Sequence, residues 1–391
     1  MLTSLALIFL CGLSLGAVFK KLRLPGLIGM LIGGILLGPH ALNLLDGGVL
    51  GISADLRQLA LIIILARAGL SLDLATLKKI GRPAVLMSFV PACFEMLATI
   101  LLAPKLLGLN LLDSAILAAV VASASPAVIV PRMLKLMDTG YGTDKSIPQL
   151  ILAGDSVDDV FNIVVFTSLV GFAGGDSISA LRFAEVPVSI LLGIAAGALV
   201  GFCLCLLFRR VNVRASVKVI ILLSAGFLLV ALEGRLTIPF SGLIAVMAAG
   251  VVILKAAPVA AEEASSKLSK LWVGAEVLLF VLVGASMNIN YAASAGLKTM
   301  LLLVGILAVR AVGILLCLVK TKLNRKERLF CTFTGVPKAT VQAAIGGIPL
   351  ALGLPNGEII LAVSVLTILI TAPLGAFLID SSYKKLLKKS E

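Results

Sequence analysis

Apolar runs of roughly twenty residues, separated by short polar stretches, follow one another from end to end of this chain. A helix rises about 1.5 Å per residue and a bilayer core is about 30 Å thick, so about 20 mostly apolar residues make one crossing. The pattern predicts about thirteen such helices, over 2–19, 25–41, 55–73, 83–104, 111–131, 148–172, 187–208, 216–235, 238–255, 271–289, 298–319, 329–353 and 358–380. No interval between them is long enough for a soluble domain. The expected fold class is therefore an all-α polytopic membrane protein. The first run has no basic stretch before it and no small-residue cleavage site after it, so it reads as a retained helix rather than a signal peptide.

Composition agrees with the pattern. The chain has 391 residues, 60% hydrophobic and 14% charged, with a mean hydropathy of +1.15. Soluble domains carry about 25% charged residues. The net charge of +13 does not signal a nucleic-acid partner, because its Lys and Arg sit in short loops between apolar runs. Of the 33 Lys and Arg, 25 lie on alternate loops that share one side, from Lys20 to Lys389. The positive-inside rule makes that side cytoplasmic. The N-terminus is then outside and the C-terminus cytoplasmic, as an odd number of crossings requires. The six cysteines lie in or beside apolar runs without metal-type spacing and read as small hydrophobes. His40 follows Gly38 and Pro39 at a helix end and reads as a loop residue.

Charges at bilayer depth cost about 2.5–3.5 kcal/mol even on the lenient insertion scale. Arg67, Glu95, Asp158, Asp159, Glu276, Arg310 and Lys338 are the ones that need a reason, and Asp155 joins them one turn before the aspartate pair. Asp158 and Asp159 lie about eleven residues into the sixth run, roughly 16 Å from its start and near the midplane. Neighbours on a helix project about 100° apart, so one can line a cavity while the other contacts a packed helix. A carboxyl out of water beside another is a candidate proton carrier. Na⁺ and Li⁺ favour oxygen ligands, so one carboxylate that holds either a proton or a cation is the minimum hardware for exchange. No cofactor is implied beyond the transported ions. Asp155 is a candidate accessory group, vestibular or structural.

Two runs are broken. The fifth carries Ser123, Ser125 and Pro126 at its middle, and the twelfth carries Gly335, Pro337, Lys338 and Thr340. Proline removes a helix hydrogen bond, and backbone freed at membrane depth must line a cavity or be met by protein groups. Pro126 and Pro337 are 211 residues apart, and Glu95 and Arg310 are 215 apart. Runs four to six thus map onto runs eleven to thirteen, an odd offset of seven, so the halves are inverted in the membrane. Discontinuous helices in inverted repeats mark the ion sites of secondary transporters. The plan predicts a Glu95–Arg310 salt bridge. It also predicts that Lys338 neutralises a negative helix end. Arg67 and Glu276, at matching depths, are expected to pair with each other.

At these residues the sequence resembles the cation/proton antiporter superfamily, most closely its NHA-type sodium/hydrogen exchanger B-subfamily. The stretches that carry the likeness are RAGLSLD from Arg67 to Asp73, ASPAVIVPRML from Ala124 to Leu134, and GYGTDKSIPQLILAGDSVDD from Gly140 to Asp159. LLFVLVGASMNI from Leu278 to Ile289 and VPKATVQAAIGGIPL from Val336 to Leu350 complete them. The resemblance implies an NhaA/NapA-like fold, a homodimer in a cytoplasmic (inner) membrane, and an elevator-like movement. It implies a mobile core from 83–172 and 298–391, scaffold helices from 1–82 and 216–297, and a linker helix within 173–215. It implies that Asp159 binds cation or proton, with Asp158 beside it, and that Ser125, Thr334 and Thr340 complete the shell. Electrogenic bacterial relatives with an Asp pair usually carry Lys where this chain has Arg310. Arginine stays protonated at any accessible pH, so the expected exchange is electroneutral. Gly29, Gly33, Gly34 and Gly38 suit close helix packing.

The leading reading is a Na⁺ or Li⁺/H⁺ antiporter. A K⁺/H⁺ antiporter on the same fold is the nearest alternative, since selectivity rests on cavity geometry. A sodium-coupled organic-anion symporter would want more polar groups around the breaks. A membrane enzyme would need a nucleophile–base pair or metal cluster at depth, and the expected protein is not an enzyme.

Overall fold

The computed structural model describes residues 1–72, 78–173, 180–211, 214–233, 235 and 240–390. Asp73, the end of the RAGLSLD stretch, and residues 238 and 239, the start of the ninth expected run, lie outside them. The helices in chain order are α1 (Leu2–Lys21), α2 (Gly26–Leu37), α3 (Gly47–Gly51), α4 (Ser53–Leu70), α5 (Arg82–Met87) and α6 (Val90–Leu107). They continue as α7 (Leu111–Val121), α8 (Pro126–Asp138), α9 (Ile147–Ala173), α10 (Ala180–Arg210), α11 (Ala215–Glu233) and α12 (Gly242–Ala256). The last are α13 (Pro258–Ala285), α14 (Ile289–Cys317), α15 (Arg325–Thr334), α16 (Thr340–Ile345), α17 (Ile348–Ala351) and α18 (Gly357–Leu386).

Among the described residues, nine helices are long and apolar enough to cross a membrane, and Gly26–Leu37, Gly242–Ala256 and Thr340–Ala351 form shorter apolar ones. The 18-residue α4 carries Asp55, Arg57 and Arg67, which set it apart from those nine. Extended pairing among the described residues is limited to one antiparallel bridge, between Tyr141 and Lys389. Several boundaries differ from the sequence reading: α10 starts at Ala180 and α14 at Ile289, ahead of the expected 187 and 298, and the largest difference is at α13. The stretch from Pro258 to Lys270, read as a basic loop, is the first part of α13. Ala, Glu, Ser and Lys there tolerate helix well, and Pro258 at the first position presets its backbone angle. The apolar run marks only the length suited to lipid, not the length of the helix.

The chain divides into two compact units. Unit one comprises Met1–Ala54, Asp73–Leu169 and Phe280–Glu391. In it α6 runs against α14, and α15 and α16 run against α18. Its sequence marks helix ends in familiar ways. Asn110 caps α7 by accepting from the Asp113 N–H at 2.8 Å. Asn324 and Glu327 form a reciprocal capping box at the start of α15. Gly108 ends α6 at φ +73°, a left-handed conformation that glycine adopts without steric cost. A core of Met133, Leu136, Ile147, Ile151, Ile314, Phe330 and Leu387 fills the end of the unit beside the chain's C-terminus.

Unit two comprises Asp55–Leu72 and Val170–Leu279. Gly193, Gly197 and Gly201 form a stripe along α10 that faces the α12 backbone. A Cβ at Gly193 or Gly201 would come within 2.7 Å of the Ser241 or Ala249 carbonyl oxygen. Small residues four apart are how membrane helices approach so closely.

Candidate functional site

Both expected breaks are present, and both lie in unit one. The first helix stops at Val121 and resumes at Pro126, with Ser125 in extended backbone. The second stops at Thr334 and resumes at Thr340. Backbone groups released inside a membrane protein must find partners, and here the two breaks supply one another. The Ser125 N–H donates to the Pro337 carbonyl at 2.9 Å. The Gln342 amide donates to the Ser123 carbonyl at 2.9 Å and the Val120 carbonyl at 3.1 Å. The Ala124 N–H donates to Asp158 Oδ2 at 3.1 Å, and the Lys338 N–H to Thr371 Oγ1 at 3.0 Å. Asp158 and Thr371 are 213 residues apart, between the 211 and 215 of the offset expected from the sequence. Gly375 permits the approach of α18 to the second break, since a Cβ there would lie 2.7 Å from the Pro337 nitrogen.

Four charges are buried beside the crossing. Arg310 Nη1 donates to Glu95 Oε2 at 2.8 Å, and Arg310 Nη2 to Asp158 Oδ2 at 3.0 Å. Lys338 Nζ donates to the same Glu95 oxygen at 2.6 Å. Arg310 and Lys338 both donate to the Ala122 carbonyl, the C-terminal end of α7. The two carboxylates and two cations sum to zero charge. Buried ions cost several kcal/mol each unless paired and hydrogen-bonded, so this quartet holds α6, α7, α9, α14 and the second break together. The expected Glu95–Arg310 bridge is there, and Lys338 does meet a negative helix end. Its pairing with Glu95 was not foreseen.

The adjacent aspartates separate. Asp158 is 1% exposed; beyond Arg310 and Ala124, its Oδ1 accepts from the Asn162 amide at 3.2 Å. Asp159 is half-buried, accepts from the Ser123 hydroxyl, and takes part in none of the ion pairs of the described residues. Asp155, 7% exposed, shares a cavity with Asp158, Arg310, Ala124 and Thr334. The hydroxyls of Ser125 and Thr340 are buried at the two breaks without a hydrogen-bond partner, while Thr334 donates to the Cys331 carbonyl at 2.8 Å. Arg67 and Glu276 lie half-buried on α4 and α13. No ion pair joining them is among those of the described residues.

Sequence reasoning missed Gln342, Asn162 and Thr371. Gln342 stood inside the VPKATVQAAIGGIPL stretch as an amide in an apolar run, and Asn162 lies one turn after Asp158. Both were legible by the same argument that selected the charges. A lone threonine in an apolar helix carries no such signal.

A family model described as "Sodium/hydrogen exchanger, transmembrane" matches residues 5–380. This chain belongs to the sodium/hydrogen exchanger family. The exchanger-family chain is 32% identical over 418 residues to sodium/hydrogen exchanger 9B2 of Mus musculus, covering 100% of this chain and 74% of the relative. It is 28% identical over 419 residues to sodium/hydrogen exchanger 9B1 of Homo sapiens, covering 99% and 78%. Its fold matches the sodium proton antiporter MjNhaP1 of Methanocaldococcus jannaschii with a TM-score of 0.85, 20% identity and 98% of each chain covered. The family is one of membrane transporters rather than enzymes, and membership supports cation/proton exchange by this exchanger-family chain.

Proposed function

We propose that this protein exchanges Na⁺ or Li⁺ for H⁺, with cation and proton competing for Asp159. The observation that carries the reading is the division of labour between the two aspartates. Every polar atom of Asp158 is engaged, by Arg310, Ala124 and Asn162. Asp159 sits beside the first break with a hydroxyl for company and no cation. A carboxylate in that position either takes a proton or gathers a bare monovalent cation. The free hydroxyl oxygens of Ser125 and Thr340 are suitable further ligands. Competition for one group couples the two fluxes, because neither ion leaves until the other replaces it.

The same reading includes about thirteen crossings in inverted repeats, a cytoplasmic C-terminus on the basic side, and a homodimer in the inner membrane. An elevator-like movement of the core helices belongs to the same reading. Arg310 keeps its proton throughout, which favours one-for-one exchange if Asp159 acts alone.

The test is collapse of an imposed pH gradient in proteoliposomes on addition of Na⁺, Li⁺ or K⁺, with Asp159→Asn as control. Responses to Na⁺ and Li⁺ that the variant lacks support the proposal. A response to K⁺ alone changes the substrate, and a fully active variant removes Asp159 from the mechanism.

A further inference from the structure

Asp155 is the buried acidic group that the crossing does not account for. Glu95 and Asp158 are matched by Arg310 and Lys338, so the quartet has no positive charge to spare. Asp155 is 7% exposed, and its Oδ1 is buried with no hydrogen-bond donor. It lines the cavity beside the crossing together with Ala124, Asp158, Arg310 and Thr334. The other walls, Met87, Ile129, Ile151 and Ile314, are uncharged. Both Nη atoms of Arg310 are committed, to Glu95, Asp158 and the Ala122 carbonyl, and its Nε makes no hydrogen bond to Asp155. An unmatched carboxylate held out of water is costly, and apolar walls strengthen its attraction for a small cation.

The position gives that attraction a use. On a helix, residues four apart lie on the same face one turn apart. Asp155 therefore precedes Asp159 by one turn of α9, and it lines the cavity beside the crossing. Resting on the exchange reading above, we infer that Asp155 forms a second monovalent-cation site, a capture site in the cavity that loads the ion before it reaches Asp159. Its ligands would be the free Asp155 oxygen, the Thr334 hydroxyl oxygen and water. A cation held at Asp155 waits one turn from Asp159, so the capture site sets how little cation half-saturates transport.

The test separates the two sites. Purified Asp159→Asn protein is heated with and without Na⁺ or Li⁺, using choline chloride at equal ionic strength as the reference. The capture site predicts a rise in melting temperature with Na⁺ or Li⁺ in Asp159→Asn that disappears in Asp155→Asn/Asp159→Asn. In proteoliposomes, Asp155→Asn should raise the half-saturating Na⁺ concentration by about tenfold, the loss of roughly one charged oxygen ligand. The rate at saturation should be largely kept, and Asp155→Glu should restore the affinity. No cation-dependent stabilisation of Asp159→Asn overturns the inference, and that measurement needs no Asp155 variant to fold. An unchanged half-saturation in Asp155→Asn overturns it as well. So does a loss of stability in Asp155→Asn that no cation modifies, which would assign Asp155 to the unpartnered Arg310 Nε instead. Wild-type protein that exchanges no monovalent cation overturns the exchange reading itself, and this one with it.

Discussion

Arg310 Nη2 and Asp158 Oδ2 meet at 3.0 Å, and that contact gives two neighbouring aspartates different tasks. Asp158→Asn strips the guanidinium of one buried anion. Breaking a buried pair by removing one partner costs about 3–5 kcal/mol, so the variant should melt markedly lower in detergent. Asp159→Asn breaks no ion pair and keeps an acceptor for Ser123. It should melt close to wild type and exchange nothing. Thermal melts and proteoliposome exchange on the two variants check this together. A stable Asp158→Asn beside an unstable Asp159→Asn would reverse the assignment.

Glu95 is the shared acceptor of Arg310 and Lys338, both on Oε2. Glu95→Ala therefore leaves two buried cations short of an anion, whereas Lys338→Met leaves Glu95 with Arg310. The first should be the more destabilising. The combination Glu95→Ala/Lys338→Met should cost less than the sum of its parts, by about 0.5–3 kcal/mol of coupling. The same holds for Glu95→Ala/Arg310→Ala, although Lys338 stays unmatched there and recovery is incomplete. Additive losses in both cycles would dismiss the network.

These residues also show what the sequence made legible. Glu95 and Arg310 stood out because charge at depth is costly and the repeat offset placed them in corresponding positions. Position along a helix gives its level along the neighbouring helices, so the breaks at Pro126 and Pro337 and the aspartates beside the first break could be read. It does not give the direction in which a side chain leaves the helix. The 100° between Asp158 and Asp159 required two environments without saying which residue had which. Lys338 could be assigned to a helix end but not to Glu95, 243 residues away. The polar start of α13 escaped because hydropathy reports burial in lipid and not helicity.

Close packing at the second break yields a sharper steric prediction. Gly375→Ala would set a methyl group 2.7 Å from the Pro337 nitrogen and 2.6 Å from its Cδ, distances that demand movement of backbone or ring. Overpacking costs about 1–3 kcal/mol, and here the displaced element carries the Ser125–Pro337 hydrogen bond. Exchange should fall together with the melting temperature. Gly353→Ala, at a loop with nothing within 4 Å of the new atom but φ +71°, controls for strain alone. It should lower stability and leave exchange at temperatures below the melt unchanged.

The chain's last residues close onto the loop between α8 and α9. Gly142 N–H donates to the Lys388 carbonyl at 2.8 Å and Ser390 N–H to the Gly140 carbonyl at 2.8 Å. The Thr143 and Ser390 hydroxyls are 2.8 Å apart, Tyr141 and Tyr383 meet edge to face at 5.0 Å, and Leu387 is 5% exposed. The residues from Leu387 to Ser390, with Lys389 bridged to Tyr141, thus close onto a loop that links the broken helix to the aspartate helix. Burying one leucine stabilises by about 1.5–3 kcal/mol. Removal of residues 387–391 should lower the melting temperature and speed amide exchange at residues 140–146, while the buried quartet, sealed among other helices, keeps its protection. Hydrogen exchange by mass spectrometry on the full-length and truncated proteins reads both regions at once. Loss of protection that spread equally to the segments around Glu95 and Arg310 would mean that the tail holds up the whole unit rather than this one loop.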